Sequence, residues 1–266
     1  MTAPSTQLLQ GRTAVVTGAA RGIGLSIAKR FAQHGADVAL LDLDGEITRK
    51  AADEIARSTG ARTLGLAVDV SDENGLGDAA AEVEEVLGVT DVVVPNAGIL
   101  VLKPALELAL GEFEAVLRVN LVGAFLTATT FARRMVATRT SGQVIFTSSL
   151  FGTRGGAGNA AYSASKFGVI GLAQSLAAEL AGGGIRVNTV CPGQIDSVML
   201  DQLFQDRAVA AGTTAEQEHA GFVADIPLGR LGLPVEVADT YVYLASDLSS
   251  YVTGEHVVVD GGWRVG

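Results

Sequence analysis

Short apolar runs rich in valine, isoleucine and leucine recur along the chain, separated by longer stretches in which apolar and polar residues mix at helical spacing. Seven of these runs read as strands: Thr13–Thr17, Asp37–Asp42, Arg62–Val68, Asp91–Pro95, Gln143–Ser148, Arg186–Cys191 and His256–Val259. A run that is apolar throughout belongs to a strand covered on both faces, and strands that alternate with helices form βαβ units. The expected fold is α/β: a Rossmann-like doubly wound sheet of seven parallel strands with helices on both faces, in one domain spanning residues 1–266. The alternation lapses from about residue 196 to 227, where Gly212 and Gly221 occur, and a mobile, substrate-covering flap is expected there. Ligands of an open parallel sheet lie at the carboxyl ends of its strands, which puts this flap over the site.

Composition supports that picture and removes some function classes. A chain of 266 residues, 48% hydrophobic and 18% charged, can bury a large core. A net charge of −10 argues against a nucleic-acid partner, because phosphates are neutralised by clustered Lys and Arg. Cys191 is the only cysteine, so an internal disulfide is excluded, and His34, His219 and His256 are not spaced as metal ligands. Residues 1–10 lack a basic start and an apolar run, no membrane segment is expected, and a cytoplasmic location is the default.

The first strand runs into Thr17-Gly18-Ala19-Ala20-Arg21-Gly22-Ile23-Gly24 and then a helical pattern. Backbone amides and the helix dipole converge at such a turn, where a pyrophosphate can lie. A glycine cluster alone would fit a tight turn equally well; the βαβ setting favours the nucleotide. Asp42 ends the second strand, where a carboxylate can accept hydrogen bonds from the adenosine ribose and would repel a 2′-phosphate. NAD is therefore expected over NADP, although Arg21 in the glycine loop could hold an extra phosphate and Asp42 could simply cap a turn.

Tyr162 and Lys166 stand four apart in a helical pattern from Asn159 to Leu180, so they share one face. An adjacent ammonium favours phenolate and brings the phenol toward working pH as a proton-transfer group. Ser149 ends the fifth strand, where its hydroxyl can hold a substrate oxygen, while Ser148 points to the opposite face and is structural.

Taken together, Thr17-Gly18-(x3)-Gly22-x-Gly24, Asp69-Val70, Asn96-Ala97-Gly98, Asn120, Ser149, Tyr162-(x3)-Lys166, Pro192-Gly193 and Val252-Thr253-Gly254 through Val259-Asp260-Gly261-Gly262 resemble the short-chain dehydrogenase/reductase family, of the smaller-subunit, single-domain type. The resemblance spans nearly the whole chain. It implies that Tyr162 is general base in oxidation and general acid in reduction. Lys166 would bind the nicotinamide ribose and lower the Tyr162 pKa, Ser149 would orient the substrate oxygen, and Asn120 would fix a water linking Lys166 to solvent. Cofactor contacts are implied for Gly18, Arg21, Gly22, Ile23, Gly24, Asp42, Tyr162 and Lys166, for Asp69 and Val70 at adenine, for Asn96, Ala97 and Gly98 on the adenosine side, and for Pro192, Gly193, Ile195 and Ser197 at the carboxamide. No metal is implied. Pro95 departs from the family, which usually shows a second Asn there, so the bonding of the central strands is expected to differ.

The remaining features read as structural. Gly182-Gly183-Gly184 fits a helix stop, Arg133-Arg134 a helix carboxyl end, and Trp263 either its own core or a neighbouring subunit. The resemblance implies a homotetramer joined through helices near Glu112–Met135 and Ala161–Leu180. The expected activity interconverts a secondary alcohol, such as a small polyol, diol or hydroxyketone, with a ketone. Two alternatives stand beside it: an NADPH-dependent 3-oxoacyl-thioester (acyl carrier protein) reductase, and a non-catalytic nucleotide-sensing protein.

Overall fold

The computed structural model of the protein describes residues 7–263. All seven expected strands form: β1 Thr13–Thr17, β2 Asp37–Asp42, β3 Thr63–Ala67, β4 Val92–Val94, β5 Gly142–Thr147, β6 Ile185–Pro192 and β7 His256–Val259. They pair in parallel in the order β3-β2-β1-β4-β5-β6-β7. The order reverses between β1 and β4, so a crevice opens at the carboxyl ends of those two strands. β4 is shorter than expected, for Pro95 has no N–H with which to extend its ladder. The Pro95 carbonyl still accepts the Thr147 N–H at 3.1 Å.

Strand side chains alternate between two cores. Ala14, Val16, Val38, Leu40, Val92 and Val94 face α1 (Gly22–Gln33), α2 (Gly45–Thr59) and α9 (Pro234–Ala245), packing on Ile27, Phe31, Ile55 and Tyr241. Val15, Ala39, Leu41, Val93 and Val144 face the other way, onto α3 (Glu73–Leu87), α5 (Gly123–Thr138) and α6 (Ala160–Leu180), where Leu76, Phe131, Met135 and Val169 lie. Strands flanked on both sides need apolar residues at every position, which is why their sequences show runs rather than alternation.

The helix expected near Glu112–Met135 is interrupted. It consists of α4 (Leu110–Leu117), a π-helical turn at Arg118–Val122 and then α5. Its length and apolar character would suffice to cross a bilayer, yet Val116, Ala128, Phe131 and Met135 are buried against the sheet and its neighbours. The stretch expected to be irregular holds α7 (Val198–Ala211) and α8 (Ala215–Ala224). Ser197 caps α7, Gly212 ends it in the left-handed region at φ 68°, and Thr214 and Gln217 form a reciprocal capping box on α8. Their apolar residues do not gather on one face, so periodicity missed them while the caps were readable. Gly184 ends the turn after α6 in the same left-handed way, and Arg134 pairs with Glu84.

The bonding of the central strands runs through side chains. Thr147 Oγ1 donates to Asn96 Oδ1 at 3.1 Å and lies 2.6 Å from the buried Tyr241 hydroxyl of α9, while Asn96 Nδ2 donates to the carbonyls of Thr17 and Gly18 at 2.9 and 3.2 Å. Tyr241→Phe removes one buried bond without creating a cavity. Chemical denaturation should show a loss of about 1 kcal/mol, and an unchanged midpoint would show that the Tyr241 hydroxyl does not hold α9 to β5.

Candidate active site

The loop after β1 is built so that chain, not side chains, lines it. A Cβ on Gly24 would lie 2.2 Å from the Gly18 carbonyl oxygen and 2.6 Å from Asn96 Nδ2, so that position admits no side chain. Gly22 has φ 59°, in the left-handed region, and faces open space. α2, α3, α7 and α8 each begin with a side chain accepting a backbone N–H, whereas α1 has neither such a cap nor an acidic residue in its first turn. Open amides beside a glycine turn fit a phosphate. Ile23 enters the helix as its second residue, and Arg21, at the N-cap, is exposed.

Asp42 has a structural task that the sequence left open. Its Oδ2 accepts the Ala20 N–H at 3.0 Å and its Oδ1 accepts the Asp44 N–H at 3.4 Å, so the carboxylate ties the end of β2 to the glycine loop. Asp44 and Glu46 follow it in sequence, but Glu46 pairs with Lys50 at 2.6 Å and the Arg49 guanidinium lies beside Gly45. Across the crevice, Asn96 and Ala97 donate backbone N–H groups to Thr17 Oγ1 at 2.9 and 3.1 Å. The Asn96 side chain, donating to the Thr17 and Gly18 carbonyls, adds a second brace to the glycine loop.

Ser149, Tyr162 and Lys166 come together where β5 meets α6. Lys166 is 3% exposed; its Nζ donates to the Thr147 carbonyl at 2.9 Å and lies 5.6 Å from the centre of the Tyr162 ring. Burial lowers its pKa from the ordinary 10.5 to about 8. Part of Tyr162 reaches solvent, but burial pushes its phenol above the ordinary 10, and a hydrogen bond with Ser149 pulls the other way. Burial is the largest influence on the phenol and the Ser149 bond the one that lowers it; the Lys166 ammonium, which the resemblance implied would lower it, is not among the causes. Ser149 Oγ also accepts the Phe151 N–H at 3.1 Å. Ser148 points away, as strand alternation requires, and donates to the Lys166 carbonyl at 2.8 Å. Cys191, on β6, is buried, and its thiol is pushed up to about 11 by that burial.

Asn120 lies in the π-helical turn, 1% exposed. Its Oδ1 accepts the Ile99 N–H at 2.8 Å, and its Nδ2 donates to the Ile99 carbonyl at 3.0 Å and to Ser165 Oγ at 3.1 Å. Ser165 in turn donates to the Tyr162 carbonyl at 2.7 Å. The turn thus couples the segment after β4 to the start of α6, a use of a π-turn at a site that hydropathy cannot foretell. A Cβ on Gly98 would lie 3.2 Å from Asn120 Oδ1 and 3.5 Å from Lys166 Nζ, so Gly98 lies against both groups.

The other expected positions sit around this centre. Asp69 Oδ1 accepts from the Ser71 N–H and hydroxyl, both at 2.8 Å, and Val70 packs on Gly123. Pro192 ends β6 opposite Val259, and the Gly193 N–H donates to the Val259 carbonyl at 2.9 Å. Ile195 bridges to Gly232, and Ser197 Oγ accepts the Leu200 N–H at 3.3 Å. The structure therefore gathers Gly18, Asn96, Ala97, Gly98, Asn120, Ser149, Tyr162 and Lys166 at the ends of β1, β4 and β5. Asp69, Val70, Ile195 and Ser197 make local contacts. Thr17, Thr147 and Ser165 join the site without having been expected, and only Thr17, beside the glycines, carried a signal.

The sequence profile of a family described as "Enoyl-(Acyl carrier protein) reductase" matches residues 18–264. The 3-oxoacyl-[acyl-carrier-protein] reductase FabG of Aquifex aeolicus is 37% identical over 254 residues, 96% of this chain and 98% of that protein. The L-rhamnose 1-dehydrogenase (NAD(P)(+)) of a Sphingomonas species is also 37% identical, over 97% of this chain and 98% of that one. A crystal structure of a short-chain type dehydrogenase/reductase from Mycobacterium marinum superposes with a TM-score of 0.88 at 36% identity, covering 98% of both chains.

The buried ammonium has a consequence that can be measured. Folded Lys166 releases its proton near pH 8 and the unfolded chain near 10.5, so between those values the unfolded state binds more protons and stability rises with pH. Lys166→Met lacks this term. Its stability advantage over the parent should narrow as urea midpoints are followed from pH 7.5 to 10.5, and a constant gap would contradict the lowered pKa.

Proposed function

The chain belongs to the short-chain dehydrogenase/reductase family, and from that premise we propose that it interconverts a secondary alcohol and a ketone with NAD(H). The observation that carries the reading is the Ser149–Tyr162–Lys166 cluster at the carboxyl end of β5, beside a glycine loop with open helix amides. When bound, the nicotinamide supplies the hydride acceptor in oxidation and the hydride donor in reduction.

In oxidation, Tyr162 takes the hydroxyl proton of the alcohol; in reduction it returns a proton to the carbonyl oxygen. Ser149 donates a hydrogen bond to that same oxygen and holds it against the phenol. Lys166, fixed by one bond to Thr147, has two N–H groups left for the nicotinamide ribose and for stabilising phenolate. Cationic nicotinamide adds to that stabilisation, opposing the desolvation that raises Tyr162. A water beside Gly98 would join Asn120 Oδ1 to Lys166 and provide a proton route. Gly18, Arg21, Gly22, Ile23 and Gly24 hold the pyrophosphate, Asp69 and Val70 flank adenine, and Pro192, Gly193, Ile195 and Ser197 lie toward the carboxamide.

Preference for NAD rests on Asp42 at the end of β2, where a carboxylate disfavours a 2′-phosphate. A tetramer is supported by Val122, Phe125 and Val136 of the π-turn and α5 and by Phe167 of α6, all exposed apolar residues on the two helices expected to form an interface. A second reading, reduction of a 3-oxoacyl thioester, is favoured by the name of the Aquifex aeolicus relative. The net charge of −10 and Asp42 weigh against it, because that reading calls for NADPH and a basic docking surface.

In a screen of secondary alcohols followed by reduced-nicotinamide absorbance, kcat/KM with NAD should exceed that with NADP; parity or reversal overturns the cofactor assignment. Tyr162→Phe should lower kcat by about 10²–10⁴-fold while cofactor affinity stays within a few-fold, and near-normal turnover would remove Tyr162 from the chemistry. Light scattering at micromolar protein should give a tetrameric mass, and a monomeric one would dismiss the assembly.

A further inference from the structure

The Asn96 amide, which joins the glycine loop to the middle of the sheet, has only one workable orientation. Its Nδ2 lies 2.9 Å from the Thr17 carbonyl and 3.2 Å from the Gly18 carbonyl, and two carbonyls can be met only by a donor. Oδ1 therefore faces β5, 3.1 Å from Thr147 Oγ1. A carboxamide oxygen accepts and never donates, so the Thr147 proton goes to Asn96. A hydroxyl has no second proton to give. The 2.6 Å bond between Thr147 and Tyr241 is consequently donated by the Tyr241 phenol.

These bonds form a one-way chain of donors, from Tyr241 to Thr147, from Thr147 to Asn96, and from Asn96 to the loop. Its start is secure. Tyr241 is fully buried on α9, and burial pushes its phenol above the ordinary 10, so the proton is in place wherever the protein is folded and working. Its end lies inside the loop, where the Asn96 amide nitrogen and the Gly18 carbonyl both press on Gly24, in the first turn of α1. A trans peptide puts the Ala19 N–H on the side opposite the Gly18 carbonyl. With that carbonyl held toward Asn96, Ala19 donates to the Leu41 carbonyl at 3.3 Å and Ala20 to Asp42 at 3.0 Å. The loop is thereby fixed on both flanks as it enters the uncapped amides of α1.

Without the Thr147 hydroxyl, Asn96 Oδ1 would be a buried acceptor lacking its donor, and nothing on β5 would select the orientation of the amide. The turned amide would set an oxygen against the Thr17 and Gly18 oxygens and push the loop from its place.

We propose that Thr147 and Tyr241 are positioning residues for the nucleotide: their buried hydroxyls orient the Asn96 amide and, through it, hold the glycine loop in the form that takes a pyrophosphate. The inference rests on the oxidoreductase reading above, which makes this loop the dinucleotide site. Neither residue takes part in the chemistry, and both act through Asn96.

Thr147→Val keeps the shape of the side chain and the carbonyl that holds Lys166, and removes only the hydroxyl. Binding of NADH, followed by its own fluorescence without turnover, should weaken about tenfold in this variant, and Thr147→Ser should return it to within about twofold of the parent. Hydrogen exchange of the nucleotide-free protein should quicken over residues 17–25 in the valine variant and stay at the parent rate over α3 (Glu73–Leu87). Tyr241→Phe, which leaves Thr147 its proton but not its fixed direction, serves if the valine variant does not fold, and should weaken NADH by about threefold. Parent affinity in the valine variant, or a serine variant as weak as the valine one, overturns the proposal. So does exchange that quickens equally over α3, which would show that the hydroxyl acts on the fold alone. Loop exchange that quickens in a protein whose parent binds no NADH leaves the positioning of the loop standing and defeats the dinucleotide reading instead.

Discussion

The carbonyl oxygen of Thr147 accepts the buried ammonium of Lys166, and the geometry of the site follows from that bond. A charged amine taken out of water needs a strong acceptor, and a β-strand that ends at this point has a carbonyl to spare. The bond fixes Lys166 on α6 against the end of β5. Ser148, the next residue, reinforces it by donating to the Lys166 carbonyl. Helix and strand are clamped at two successive residues of β5 and its end, both bonded to Lys166, so Tyr162, one turn earlier on the same helix, has little freedom to leave Ser149.

Thr147 also reaches the nucleotide side. Its N–H bonds Pro95 at the end of β4, and its hydroxyl joins Asn96 and Tyr241. Asn96 then grips the carbonyls of Thr17 and Gly18. One residue of β5 therefore connects the glycine loop, α6 and α9 through bonds that are individually modest. Such a network is specific because every member has a partner, and displacing any one would orphan a buried group in the next. This accounts for a chain that carries Pro95 in place of a second Asn: with Thr147 and Asn96 bonding β4 to its neighbours, the missing side chain at position 95 need not be replaced.

The fold was legible to the extent that it is written in hydropathy. Runs such as Val38–Leu41 and Val92–Val94 are apolar on both faces because both faces are covered, and they yielded every strand in its order. Residues whose chemistry is their role, such as Tyr162, Lys166 and Ser149, stood out through spacing and through their place at strand ends. What stayed hidden depends on backbone geometry or on partners distant in sequence. The extra residue in the π-turn that aims Asn120 has no periodic signature. The same holds for the carbonyl of Thr147, since any residue has one. The lapse between about 196 and 227 was a misreading of another kind: α7 and α8 lack a clean apolar stripe, but Ser197 and the Thr214–Gln217 box mark their starts, and weighing caps above periodicity would have found them.

Directional hydrogen bonds and ring contacts are concentrated in different parts of this molecule. The Ser149–Tyr162–Lys166 cluster is attached to the central sheet through Thr147 and Ser148, where an error of an ångström would break bonds to α6, to α9 and to the segment after β4. A cavity lined by Phe151, Phe222 and Trp263 instead joins the segment after β5 to α8 and to the segment after β7, which meet mainly through rings. Ring contacts tolerate sliding and replacement far better than buried hydrogen bonds do, because dispersion and apolar burial are not directional. Exchange of Phe151, Phe222 or Trp263 for another apolar side chain therefore disturbs the fold less than loss of any partner in the clamp at Thr147.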